Sequence, residues 1–248
     1  MTRLTTCFNA SEIIPISGTC TRLVESQEEI ATLGYVDSFE ELEILEQMLE
    51  DTKPPYPTSS EPYDYLLKTP FRYPPLKWGS RFGPTNKPSI FYGGLTLKST
   101  LAESAYYRFV FLLSMPPNAS LKPMTTEHTL FQVSYATEHG VKLQQPPFMQ
   151  HQSELTHPIQ YTGCQELGDK MRSQGVLGFE YPSARHLNGL CVGLFEITAL
   201  TSKAPDYSQA WLCRTSYNSV EFKQKGSAEM YRFDLCSFMV DGHFPSPA

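Results

Sequence analysis

The chain of 248 residues has little positive charge: 20 Lys and Arg stand against 26 Asp and Glu, a net charge of −6. A surface of that sign repels phosphate backbones at long range. No basic run offsets it, so direct nucleic-acid binding is not expected. Long apolar runs are missing too. The longest, Phe109 to Met115, falls far short of a bilayer span, and MTRLTTCFNASEIIPISGT at the N-terminus holds no continuous apolar core of a signal peptide. Neither a membrane span nor a signal peptide is expected, and the cytoplasm is the expected location. The six cysteines (Cys7, Cys20, Cys164, Cys191, Cys213, Cys236) form no CxxC pair and read as reduced thiols of a cytosolic protein. The six histidines form no HExxH and sit beside no Cys or carboxylate at zinc spacing, so no metal is expected. GxGxxG, Walker and GxSxG motifs are absent as well, which removes the usual cofactor-binding folds.

What is present describes a folded protein. Aromatics make up 12% of the residues, which argues against disorder. A chain of this length buries a core without a disulfide or metal staple. Ser38-Phe-Glu-Glu41 is a capping-box pattern, followed by Leu42, Leu45, Met48 and Leu49 at helical spacing. Prolines at 54, 55, 57 and 62 then end that helix. Residues 1–62 therefore read as an N-terminal helical extension with a Pro-rich linker, and 63–248 as the main body. Strands are expected at Ile90–Tyr92, Thr129–Ala136, Val176–Tyr181 and Leu190–Ile197. A helix over Ser99–Phe109 runs toward a strand at Val110–Leu113, a loop covers Gln144–Pro158, and a second helix covers Gln165–Ser173. A hairpin joins Ser219–Lys223 to Ala228–Leu235 around Lys225-Gly226. This mixed order reads as α+β, a mixed sheet with flanking helices.

Residues 66–107 carry the most chemistry. Arg72-Tyr73 and Arg81 lie in a Pro/Gly-rich setting, Tyr92 ends a strand before Gly93-Gly94, and Glu103 opens a helix. Arginine forks bind phosphate oxygens bidentately, and phenol rings offer flat faces. A lone carboxylate beside a ribose stabilises an oxocarbenium-like transition state. Together they point to a dinucleotide with a pyrophosphate. Plainer roles stand beside this reading. Thr100-Leu-Ala-Glu103 is itself a capping-box pattern, the arginines have ordinary ion pairing open to them, and Tyr92 has the core.

The motifs in order resemble the RES-domain family, whose members are typically toxins of bacterial toxin–antitoxin pairs. The matching segments are Phe71-Arg72-Tyr73, Gly79-Ser80-Arg81-Phe82, Phe91-Tyr92-Gly93-Gly94, Ser99-Thr100-Leu101-Ala102-Glu103, and a Ser after a strand at Tyr181-Pro182-Ser183. With Gly189–Phe195 as closing core strand, the resemblance spans residues 66–197. It implies an ADP-ribosyltransferase-like fold and NAD+ as substrate rather than resident cofactor. The implied reaction is cleavage by phosphorolysis to nicotinamide and ADP-ribose 1″-phosphate, with inorganic phosphate as co-substrate. By carry-over, Arg72 and Arg81 hold phosphates, Tyr73 and Tyr92 position the nicotinamide ribose, Glu103 stabilises the cation, and Ser183 hydrogen-bonds the substrate. The Asn that follows the Ser in some members is missing. Arg185 is either a phosphate contact or surface charge, and Asn188 is a weaker stand-in for the amide. The resemblance also implies a helix-turn-helix (Xre-type) antitoxin as partner. The extension and the 114–162 insertion lie outside the core match, open to covering the site, forming a homodimer or binding a partner. An ADP-ribosyltransferase acting on a protein, and an inactive RES-like scaffold, are the rival readings.

Overall fold

The structure is a computed structural model that describes residues 2–26, 35–116 and 122–246. The longest strand, β3 (Met124–Lys142), buries His128 and Leu130 on one face and Phe131, Val133 and Tyr135 on the other. Two buried faces mean cover on both sides, and β3 has three strand partners. Along one edge it pairs antiparallel with β1 (Ile14–Glu25), from Ile14–Gly140 to Glu25–His128. Along the other it pairs antiparallel with β6 (Tyr207–Thr215) and, at its far end, parallel with β4 (Gly178–Pro182). β4 pairs with β5 (Leu190–Leu194), β5 with β2 (Phe91–Gly94), and β2 with β1. Five strands thus close into a ring, while β6 continues outward into β7 (Ser219–Gln224) and β8 (Met230–Asp234). This is a mixed α+β fold with an eight-stranded sheet.

The ring is weak at one join. β1 and β2 share the single pair Thr21–Gly94, so Arg22–Glu25 splay away from β2. Gly94 is required there. A Cβ on it would collide with Thr100, whose hydroxyl lies 2.6 Å from that of Thr21.

Among the described residues six helices flank the sheet: α1 (Arg3–Cys7), α2 (Phe39–Asp51), α3 (Tyr65–Arg72), α4 (Leu97–Leu113), the single turn α5 (Gln152–Leu155) and α6 (Thr162–Ser173). Within residues 1–62, expected as a helical extension with a Pro-rich linker, the described residues include α1, α2 and a long strand. Strand β1 is an integral part of the sheet, and α1 sends Leu4 into the core beside α6, where Lys170 Nζ donates to the carbonyls of Thr5 and Phe8 at 2.7 Å each. The capping box does start α2: Ser38 Oγ accepts from Glu41 N at 3.2 Å, and the helix ends at Asp51. The strand expected at 110–113 is the last turn of α4, whose Phe109 and Leu112 continue its buried face. Among the described residues no helix is long and apolar enough to cross a membrane.

Candidate active site

Where β1 and β2 part, a cleft of about 590 Å³ opens, within the range of small-molecule sites. Helix α4 supplies one wall. Its N-cap is Thr96, whose Oγ1 accepts from Ser99 N at 3.2 Å, not Thr100. Glu103 therefore sits in the second turn with no capping duty. Thr100, Glu103, Ser104, Tyr107, Arg108 and Phe111 recur at helical spacing along the cleft.

Glu103 is held from across the cleft. Ser183, just after β4, donates from Oγ to Glu103 Oε1 at 2.6 Å. The same Oγ accepts from the backbone amides of Arg185 (3.1 Å) and His186 (3.0 Å). With its proton committed and both lone pairs in use, this hydroxyl is a support for the carboxylate rather than a free nucleophile.

Arg81 enters on a tight turn that begins at Gly79, whose φ is +72°. Ser80 N donates to Gly83 O at 2.7 Å, and Phe82 is fully buried against Phe179 and Tyr181. Anchoring Phe82 turns its neighbour Arg81 into the cleft, where its guanidinium lies 4.6 Å from the Tyr161 ring centroid. One nitrogen donates to the carbonyls of Leu155 (3.1 Å) and His157 (2.8 Å). Burial alone would lower the Arg81 pKa, but Tyr161 and Glu103 raise it above the ordinary value. Arg185 packs 3.4 Å over Tyr106 and donates to Pro158 O at 2.9 Å. The end of the 114–162 insertion thus builds the wall on which both arginines rest.

Tyr92 takes bonds from two sides: Ser80 Oγ at 2.9 Å and the amide of Phe82 at 3.2 Å. Burial pushes its phenol up to about 12, and burial also raises Tyr106, Tyr107 and Tyr181. These phenols stay protonated at neutral pH and are not bases, and Tyr106 already donates its proton to Pro245 O at 2.7 Å.

Arg72 and Tyr73 are not brought to this cleft. Arg72 pairs with Glu50 of α2 at 2.5 Å, donates to the Pro54 carbonyl and lies 4.1 Å over Tyr56, tying α2 and the Pro-rich segment to α3. Tyr73 is partly exposed, its carbonyl accepting from Ser89 at 2.7 Å. The residue that lines the cleft instead is Arg22 of β1, unnoticed in the sequence. Its Nη1 donates to Tyr92 O at 2.9 Å across the parting of β1 and β2, and its guanidinium lies 5.2 Å over Phe91. Burial lowers it to about 10, still protonated at neutral pH. The available signal was Thr21-Arg22-Leu23-Val24, an arginine flanked by strand-prone residues. Four arginines (22, 81, 108, 185) face two carboxylates (Glu25, Glu103) here, an anion-favouring cleft in an acidic chain.

A family model for the RES domain matches residues 55–215, well over half of the chain. The chain belongs to the RES domain family. Among solved structures, a chain of the M. tuberculosis MbcT–MbcA toxin–antitoxin complex is similar to this RES chain. The match has a TM-score of 0.50 at 13% identity, covering 86% of this chain and 92% of that one. No curated protein matches. The RES match begins after β1, so the strand that carries Arg22 lies outside the matched residues yet inside the sheet of this RES chain.

Proposed function

We propose that this RES chain cleaves the nicotinamide–ribose bond of NAD+ by phosphorolysis, and that it is the toxin of a toxin–antitoxin pair. The observation that carries the reading is Glu103, fixed by Ser183 at 2.6 Å in a cleft lined by four arginines. A pyrophosphate is suited by Arg22 and Arg81, whose forks are oriented by Tyr92 O and by the carbonyls of Leu155 and His157. Glu103 then faces the nicotinamide ribose. As the glycosidic C–N bond breaks, its electron pair returns to the pyridinium ring, which leaves as neutral nicotinamide. Positive charge develops on the ribose, where the carboxylate stabilises it. A phosphate oxygen forms the new bond at that carbon, giving ADP-ribose 1″-phosphate. The leaving group needs no proton and the phosphate dianion needs no base, so phenols that stay protonated suit the site. Cytoplasmic location and a helix-turn-helix antitoxin blocking the cleft complete the reading.

Purified protein is incubated with NAD+, with and without inorganic phosphate, and the products are identified by mass spectrometry beside Glu103→Gln. Phosphate-dependent ADP-ribose 1″-phosphate, lost in the variant, is expected. Free ADP-ribose regardless of phosphate makes the chain a glycohydrolase, and ADP-ribosylated protein makes it a transferase. Intact NAD+ from folded protein sinks the reading.

A further inference from the structure

Only part of the cleft is engaged by the proposed cleavage. From the Thr21–Thr100 hydroxyl contact, β1 and α4 run side by side. Four strand residues advance about 13 Å and eight helical residues about 12 Å. Those equal advances bring Glu25 and Arg108 together at 2.7 Å, at the far end of the cleft. Glu103 lies about 7–8 Å back along α4, with Arg22 on the facing strand between the two ends. Leu23, Phe111 and His128 complete this end.

The Glu25 side chain is 53% exposed. One oxygen is fixed on Arg108, and the other takes no bond among the described residues. Arg108 itself is immobilised. It is buried, donates to Thr215 Oγ1 at 3.2 Å, and lies 5.4 Å over the Phe111 ring, which is 47% exposed. Its remaining nitrogen, Nη2, is buried without a hydrogen-bond partner among the described residues. A flat exposed ring and a carboxylate with one free acceptor at the same end of the cleft are the groups a nucleoside needs, a ring to take a base and a carboxylate to take a ribose hydroxyl.

We infer that this end holds the adenosine of the dinucleotide, with Glu25 accepting from the ribose 2′-hydroxyl, so that Glu25 selects NAD+ over its 2′-phosphorylated form. The inference rests on the NAD+ reading above for the identity of the dinucleotide. A carboxylate at this position favours the free hydroxyl and repels a 2′-phosphate, whereas an arginine free to reach it does the reverse. Here the arginine is spent on the carboxylate and on Thr215.

Binding of ADP-ribose and of 2′-phospho-ADP-ribose to the full chain is measured by calorimetry for wild type, Glu25→Gln and Phe111→Ala, with NAD+ turnover as a separate arm. Wild type is expected to bind ADP-ribose at least about tenfold more tightly than the phosphorylated form. Glu25→Gln weakens ADP-ribose about tenfold and brings the two ligands within about threefold, the size of a lost charge-assisted hydrogen bond. Phe111→Ala weakens both alike. Glu25→Asp keeps the charge and the preference, and stands in if the amide variant folds poorly. Equal binding of the two ligands by wild type, binding of neither, or an unchanged ratio in folded Glu25→Gln overturns the inference. Binding does not require turnover. Discrimination without NAD+ cleavage refutes the cleavage reading alone, and cleavage without discrimination refutes this one alone.

Discussion

Replacing Ser183 by alanine tests the coupling on which the site rests. The substitution deletes one hydroxyl that donates to Glu103 at 2.6 Å and accepts two backbone amides, those of Arg185 and His186. A hydrogen bond to a charged group contributes about 1.5–3 kcal/mol, and the two amides lose their acceptor at the same time. In a chain of this size 1 kcal/mol moves Tm by about 2–4 °C, so a fall of roughly 4–10 °C is expected. Activity falls for a different reason. Glu103 loses the group that fixes its rotamer, and if about 1.4–2.8 kcal/mol of transition-state stabilisation goes with it, kcat drops about 10- to 100-fold. The deciding assay is a double-mutant cycle with Glu103→Ala, read in both thermal unfolding and NAD+ consumption. Because the two side chains act on each other, the double variant should be little worse than Glu103→Ala alone. Full additivity in both readouts, or wild-type kcat in Ser183→Ala, refutes the view that the serine acts through the carboxylate.

Arg22→Met should cut NAD+ cleavage by at least about 100-fold, as expected for a lost phosphate fork. Arg72→Met should leave cleavage within about threefold of wild type while lowering Tm, since its partners are Glu50, Pro54 and Tyr56; steady-state kinetics with thermal melts separates the two. Burial, then the nearby Arg108, pushes His128 down to about 4 from an ordinary 6.5. The unfolded chain therefore takes up this proton first, and stability present above pH 6.5 is lost as pH falls toward 4, by up to about 3 kcal/mol. Urea unfolding at pH 7 and pH 5 should show the loss, and in His128→Gln this part of it should vanish. Thiol titration of native protein should label the accessible Cys7 and Cys236, while Cys20, Cys164, Cys191 and Cys213 react only after denaturation. These four are buried, which raises their pKa values, those of Cys20 and Cys164 to about 12. Rapid labelling of four or more thiols in native protein contradicts the core packing.

Local signals were readable and non-local pairings were not. The Ser38 cap, the Phe-Tyr-Gly-Gly strand end and the Lys225-Gly226 hairpin each lie within a few residues of the element they specify, and the structure has all three. β1 was lost because its apolar signal is thin. Ile16 and Cys20 alone are fully buried in it, and its partner β3 begins about a hundred residues later. Arg72 and Arg22 exchanged places for the same reason: an arginine between aromatics looks like a site, but which arginine meets Tyr92 depends on a strand pairing no local pattern carries. The helix start at Thr96 was mistaken for one at Thr100 because both are threonines, and only the second has a glutamate three residues on. Of the candidate site, Arg81, Tyr92, Glu103, Ser183 and Arg185 were named from sequence and do converge.

The single pair joining β1 to β2 bears on how the chain avoids sticking to others. Beyond Thr21 the outer edge of β1 has no strand partner among the described residues, the kind of surface that recruits foreign strands and seeds aggregation. In this molecule that edge borders the cleft, with Arg22, Leu23 and Glu25 among its lining residues. Pro70, Pro74 and Pro75, which line the same cleft, have no amide hydrogen to offer it, so the parting has no ready means of zipping itself closed. An extended ligand lying in the gap would take the place of the missing strand.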